Sequence, residues 1–159
     1  MFRITGEFQG TIDEKGRIKL PAGIVKQLTD QGIALHFVVN RGFEKCLMIY
    51  PKIVWDLKAT EVDKLNVYDP LQRQFARYFY RGATSITGDT AERILIPKNL
   101  IEHASIQKEI VLFAYQNQIE LWDEKLYHEE LAKEPAQFSD LAAKVFGGQV
   151  IIQPTILKA

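Results

Sequence analysis

TIDEKGRIKLPAGIV, residues 11–25, and TGDTAERILIPKNLI, residues 87–101, carry one pattern twice. Asp13 aligns with Asp89, Arg17 with Arg93, Ile18 with Ile94, Leu20 with Ile96 and Pro21 with Pro97. Downstream, FVV (37–39) and LMIYP (47–51) are answered by VLF (111–113) and IELWD (119–123). A repeat decides the fold before any single element does. A unit of about 45 residues buries too little surface to stand comfortably alone, so two copies should share one core.

Working outward, each copy reads β-turn-β-α-β-turn-β and then a helix. Phe8–Ile12 and Ile18–Leu20 flank DEKGR, where Gly16 supplies turn chemistry. That arrangement is a β-hairpin or a sharp strand-turn-strand. Pro21 suits the first turn of a short helix, with Ile24, Val25 and Leu28 on one side. LHFVV and CLMIY form strands around NRGFEK, and PKIVWDLKAT is helix-like. In the second copy ATSI and ILI flank TGDTAER, Pro97 opens PKNLIEHA, and EIVLFAY and QIELW are strands around Gln116-Asn117. Helices are expected over DEKLYHEELAKE and through AQFSDLAAKVFGGQ to Phe146, and VIIQPTIL is an added strand, a docking segment or a tail.

Charge is segregated, not abundant. The 20 bases balance 20 acids, so any surface for a polyanion must be local. Between Asp69 and Asp89 the only charged residues are Arg73, Arg77 and Arg81. On a helix this i, i+4, i+8 spacing confines them to ~80° of arc, opposite Leu71, Phe75, Tyr78 and Phe79. The connector is therefore an amphipathic helix with a basic face. From Glu120 to Asp140 there are seven acids and two lysines. The three arginines either contact phosphate or pair with acids of the helix at 123–134, within the chain or from a neighbour.

Enzyme chemistry finds no footing. His36, His103 and His128 show no metal-ligand spacing with each other or with Cys46. No Gly-rich phosphate loop occurs, and Ser85, Ser105 and Ser139 lack a nucleophile-elbow context. No catalytic residue, metal or cofactor is expected. The lone Cys46 suits a reducing cytosol, the start MFRITGEFQG has no apolar core, and no run approaches the ~18 apolar residues of a membrane span. The expectation is a soluble, cytoplasmic protein with no membrane partner.

The Asp-x-x-x-Arg turn remains. Arginine presents a planar fork of donors suited to carboxylate, phosphate or guanine. A nearby carboxylate can hold that fork in one orientation or accept turn N–H groups. Lys15, Arg17 and Lys19 place three bases within five residues. One such turn reads equally as a surface ion pair worth ~0–1 kcal/mol. Its recurrence at the same distance from a proline favours function, although duplication of a stabilising turn gives the same pattern.

The opening MFR, DEKGR, IKLPAGI, the Arg-rich helix before GAT, the second Asp-x-x-x-Arg turn and the xELWD strand end together resemble the MraZ family over about residues 1–132. A lone DxKGR would be shared with the wider SpoVT/AbrB superfamily. The resemblance implies a DNA-binding transcriptional regulator, encoded at the start of the division and cell-wall gene cluster and assembled into a homo-oligomeric ring. It implies an α+β, β-rich fold of tandem pseudo-symmetric AbrB/SpoVT-like units of swapped-hairpin type with short flanking helices. The units are placed at 7–54 and 83–126, with a helical connector at 55–82 and an acidic helix and tail at 127–159.

By the same resemblance Asp13, Lys15, Gly16 and Arg17 belong to a first DNA-binding turn, and Asp89 and Arg93 to a second. Lys15 and Lys19 would then neutralise phosphates and Arg17 would read a guanine edge. The implied partners are double-stranded DNA carrying promoter repeats and further copies of the chain, in a nucleoid-associated setting. The family's second turn often has Gly before Arg, whereas here Glu92 stands where the first turn has Gly16. Glycine adopts positive φ freely and lets backbone approach phosphate; glutamate does neither easily and adds negative charge. Two other readings are a structural ring or scaffold locked by the Asp-Arg turns, and an AbrB-like antitoxin whose C-terminal segment binds a protein.

Overall fold

A computed structural model of the protein describes residues 2–133 and 137–147. VIIQPTIL lies outside the described residues. Two compact units are present, one ending at Tyr127 and the other beginning at His128.

The first unit is built from eight strands and most of the helices. The first copy contributes β1 (Gly6–Thr11), β2 (Arg17–Lys19), α1 (Ala22–Asp30), β3 (His36–Arg41), β4 (Leu47–Pro51), α2 (Lys52–Asp63) and α3 (Pro70–Tyr80). The second contributes β5 (Thr84–Thr87), β6 (Arg93–Leu95), α4 (Lys98–His103), β7 (Glu109–Tyr115), β8 (Gln118–Asp123) and α5 (Glu124–Ala132), whose C-terminal half enters the second unit. The expected helix ending at Phe146 is present as α6 (Phe138–Phe146).

The strands of the two copies interleave. One six-stranded antiparallel sheet runs β1-β7-β8-β4-β3-β5, and a two-stranded ribbon pairs β2 with β6. Exchanging β1 with β5, β7 with β3 and β8 with β4 leaves that order unchanged, which is a pseudo-two-fold. Each copy lends its outer strand to the other: β1 pairs with β7, β5 pairs with β3. The flanks of DEKGR thus form the strand-turn-strand of the two alternatives. β1 and β2 meet only at an Ile12–Ile18 bridge and then part into different sheets.

Apolar alternation explains why. Phe37, Val39, Leu47, Ile49, Ile110, Leu112, Ile119 and Leu121 are buried in one core with Ile18 and Ile94 from the ribbon. Ile18 and Ile94 face each other in register, both with 0% exposure. Each contributes ~1.5–3 kcal/mol by leaving water, but only when the two copies meet. Ile24 and Leu28 of α1 and Leu100 of α4 seal the same core, each helix starting at its proline, Pro21 and Pro97.

Helix α3 is also as its sequence predicts. Asp69 caps it by accepting the Gln72 N–H at 2.9 Å, and Pro70 sits in its first turn. Phe79 stacks on Trp55 of α2, with ring centroids 4.6 Å apart. Leu71, Phe75 and Tyr78 stay largely in solvent.

Candidate nucleic-acid interface

Both Asp-x-x-x-Arg turns fold into the same small cage. In the first, Asp13 Oδ1 accepts the Lys15 N–H at 3.0 Å and the Arg17 N–H at 2.8 Å, while Oδ2 accepts Arg17 Nε–H at 2.8 Å. In the second, Asp89 Oδ1 accepts the Ala91 and Arg93 N–H groups, both at 2.9 Å, and Oδ2 accepts Arg93 Nε–H at 2.9 Å. One carboxylate therefore fixes the backbone of the turn and the direction of the guanidinium together. The arginine spends only Nε on its aspartate. Its two Nη groups make no hydrogen bond among the described residues and remain for an outside acceptor.

The electrostatics follow from those donors. Arg17's backbone N–H, chiefly, then its side chain hold the Asp13 carboxyl below its ordinary value of 3.8, against the opposing effect of burial. Arg93's backbone N–H does the same for Asp89. Both aspartates thus stay ionised wherever the arginines are needed as oriented cations.

The ribbon brings the two cages to one surface. Arg17 lies opposite Leu95 and Lys19 opposite Arg93, while Ile18 and Ile94 between them point into the core. Arg17, Lys19, Arg93 and Leu95 therefore share the outer face of a strand pair. Backbone bonds lock the crossing: Leu20 N–H to Glu92 O at 2.9 Å and Ile96 N–H to Gly16 O at 2.8 Å. A single chain thus presents both arginines on one face, diagonally across the ribbon.

Four findings refine the sequence reading. Lys19 Nζ donates to Ala91 O at 2.8 Å, so it braces the second turn from across the ribbon, with two ammonium hydrogens left for phosphate. Glu92 adopts φ 61°, where Gly16 has φ 87°, and the second turn keeps the first turn's geometry despite its glutamate. Gly16 is needed twice over, because a Cβ there would also sit 2.9 Å from Ile96 O. Leu95 escaped the sequence reading. It is 54% exposed, directly across from Arg17 and equivalent to Lys19 in the other copy. The signal was in the repeat alignment, but only the cross-copy pairing shows which face it joins.

Arg73, Arg77 and Arg81 lie elsewhere, along α3 and its C-terminal cap. Arg73 Nη1 donates to Val67 O at 2.9 Å. None of the three makes an ion pair among the described residues. Among those residues no group of three or more His, Cys, Asp and Glu could hold a metal ion, and no helix is long and apolar enough to cross a membrane.

Comparison with known proteins places this architecture. A family profile described as "MraZ protein, putative antitoxin-like" matches residues 3–78 and again 79–147, one match for each copy with its helices. A "Transcriptional regulator MraZ" of Flavobacterium psychrophilum is 38% identical over 148 residues, 92% of this chain and 94% of that protein. Proteins of the same name from Cytophaga hutchinsonii and Halothermothrix orenii are each 36% identical, over 88% and 87% of this chain and 92% and 93% of their own lengths.

Proposed function

The chain belongs to the MraZ family, and we propose that it is a sequence-specific, double-stranded DNA-binding transcriptional regulator, not an enzyme. The observation that carries this is the pair of aspartate-held arginines on one ribbon face, each with its Nη edge unspent. A guanine offers O6 and N7 as two acceptors in the major groove, and a fixed guanidinium meets both. Major-groove width admits a two-stranded ribbon. Lys15, whose side chain makes no ion pair among the described residues, and Lys19 neutralise neighbouring phosphates. Asp13 and Asp89 hold the readers, and Gly16 lets the first turn lie close to the sugar-phosphate backbone.

Two turns per chain supply modest affinity. A homo-oligomeric ring that meets repeated promoter sites multiplies it through effective concentration, which suits a chain of zero net charge. The promoter in view is that of the division and cell-wall cluster, in a cytoplasmic, nucleoid-associated setting. The test is a titration of the chain's own upstream DNA against a shuffled fragment at two salt concentrations. The reading expects at least ~10³-fold preference for the upstream DNA and affinity that falls with salt. Equal affinity for the two fragments would remove sequence specificity from the reading.

A further inference from the structure

The outer face of the ribbon holds three cations and one apolar side chain: Leu95 stands among Arg17, Lys19 and Arg93. The Leu20 N–H to Glu92 O and Ile96 N–H to Gly16 O bonds fix the phase of the ladder. Its alternation makes Ile18–Ile94 a hydrogen-bonded pair and leaves Arg17–Leu95 and Lys19–Arg93 as non-hydrogen-bonded pairs. In pairs of that kind the strands approach most closely, and the Cβ atoms lie ~4.5–5.5 Å apart. Leu95 therefore stands against the root of Arg17.

The core does not account for Leu95. Its neighbour Ile94 is 0% exposed, whereas Leu95 is 54% exposed. The side chain nonetheless has a seat. A Cβ built on Gly16 would lie 3.1 Å from Ile101 Cδ1 and 3.8 Å from Leu95 Cδ1, so Leu95 leans over the first turn. The pseudo-two-fold puts Lys19 at the equivalent place in the other strand. Lys19 braces the Ala91 carbonyl and keeps ammonium hydrogens for phosphate, and a leucine can do neither. An apolar group held on a face that enters the major groove has one apolar partner there, the C5-methyl of thymine. Bases follow one another every ~3.4 Å along a strand, so a side chain this close to Arg17 reaches the neighbouring base pair.

We propose that Leu95 is a specificity-determining residue that packs on the C5-methyl of a thymine in the base pair beside the guanine read by Arg17. The inference rests on the DNA-binding reading above and adds a second base to it. It also breaks the pseudo-symmetry. The Arg17–Leu95 end of the ribbon reads a guanine and a thymine methyl, and the Arg93–Lys19 end reads a guanine and grips phosphate. One chain therefore prefers a site that is not palindromic.

Deoxyuridine tests this, because it pairs as thymine does and lacks only the methyl. Upstream DNA is made with thymine, with deoxyuridine throughout, and with deoxyuridine at single thymines beside guanines. One such single change should weaken wild-type binding about fourfold per ribbon engaged, the effect of one buried methyl-sized group. Leu95→Ala should bind the thymine and deoxyuridine fragments equally. Comparing proteins on the same fragments cancels any change in duplex shape that the missing methyls cause. Leu95→Lys, which copies the equivalent Lys19, should also lose the distinction while binding all DNA more tightly and with a steeper salt dependence. It carries the comparison should Leu95→Ala lose its circular-dichroism signal. Guanine replaced by 7-deazaguanine, which lacks the N7 acceptor, should weaken wild type and both variants alike. A wild type indifferent to deoxyuridine at every position, or variants as sensitive to it as wild type, overturns the proposal. Loss on 7-deazaguanine alone leaves the regulator standing without a role for Leu95; a wild type indifferent to both analogues sinks base reading as well.

Discussion

At the scale of single residues, the two cages make the same hydrogen bonds, and one left-handed backbone position holds glycine in the first and glutamate in the second. Glu92 holds φ 61° where Gly16 holds 87°. The left-handed region costs an L-residue ~1–2 kcal/mol, so Glu92→Gly should stabilise the chain by about 1 kcal/mol in urea unfolding. Gly16→Ala should lose at least as much, since its Cβ also meets Ile96 O. A neutral Glu92→Gly would mean that the second turn is not strained. Acid titration probes the aspartates. Their folded values are depressed below 3.8, so their contribution is present above that pH and fades as pH falls through the lower folded values. By carboxyl NMR, Asp13 in Arg17→Ala should titrate higher than in wild type yet still below 3.8, because alanine keeps the backbone N–H that dominates the shift. An unchanged midpoint would show that the guanidinium does not engage the carboxylate in solution. The sequence showed the Asp-Arg pairing but not its form. Spacing alone could not tell a side-chain ion pair from a carboxylate that also binds two backbone N–H groups.

At the scale of elements, the ribbon is the structure that makes a surface out of two turns. Ile94→Ala should cost ~2–5 kcal/mol by emptying the site against Ile18. Leu95→Ala, one residue on and facing outward, should stay within ~0.5 kcal/mol. Similar losses for the two in a urea series would contradict the assigned faces. Helices and long strands were legible because periodicity and turn chemistry are local: the spacing of Arg73, Arg77 and Arg81 announced α3, and Gln116-Asn117 announced the turn between β7 and β8. The partners of β2 and β6 were not, because three residues carry no address for a strand whose nearest residue, Arg93 for Lys19, is 74 positions away. Local sequence left β1 and β2 open between a hairpin and a bend, and the structure takes the bend.

At the scale of the whole molecule, interleaving makes the halves interdependent. Among the described residues β1 has only β7 as a ladder partner and β2 only β6. Residues 1–82 alone should therefore show no cooperative unfolding as a monomer, and mixing with residues 83–147 should restore a folded one-to-one complex. A stable monomer of 1–82 in sedimentation and circular dichroism would refute that dependence. The same interleaving brings unequal turns to one face of the ribbon, the face proposed to meet DNA. From Asp13 to Leu20 the charged residues sum to +1, with Asp13 and Glu14 against Lys15, Arg17 and Lys19; from Asp89 to Ile96 they sum to −1, with Asp89 and Glu92 against Arg93. Phosphate attraction favours the first turn, and Glu92→Gly should raise affinity by removing a charge as well as strain. The most direct measurement is a titration of one upstream DNA fragment with wild type, Arg17→Ala and Arg93→Ala, each shown to be folded. The account predicts that Arg17→Ala loses at least ~1–3 kcal/mol of binding and Arg93→Ala loses less. Equal losses would contradict the asymmetry, and wild-type affinity in Arg17→Ala would contradict the account at its centre.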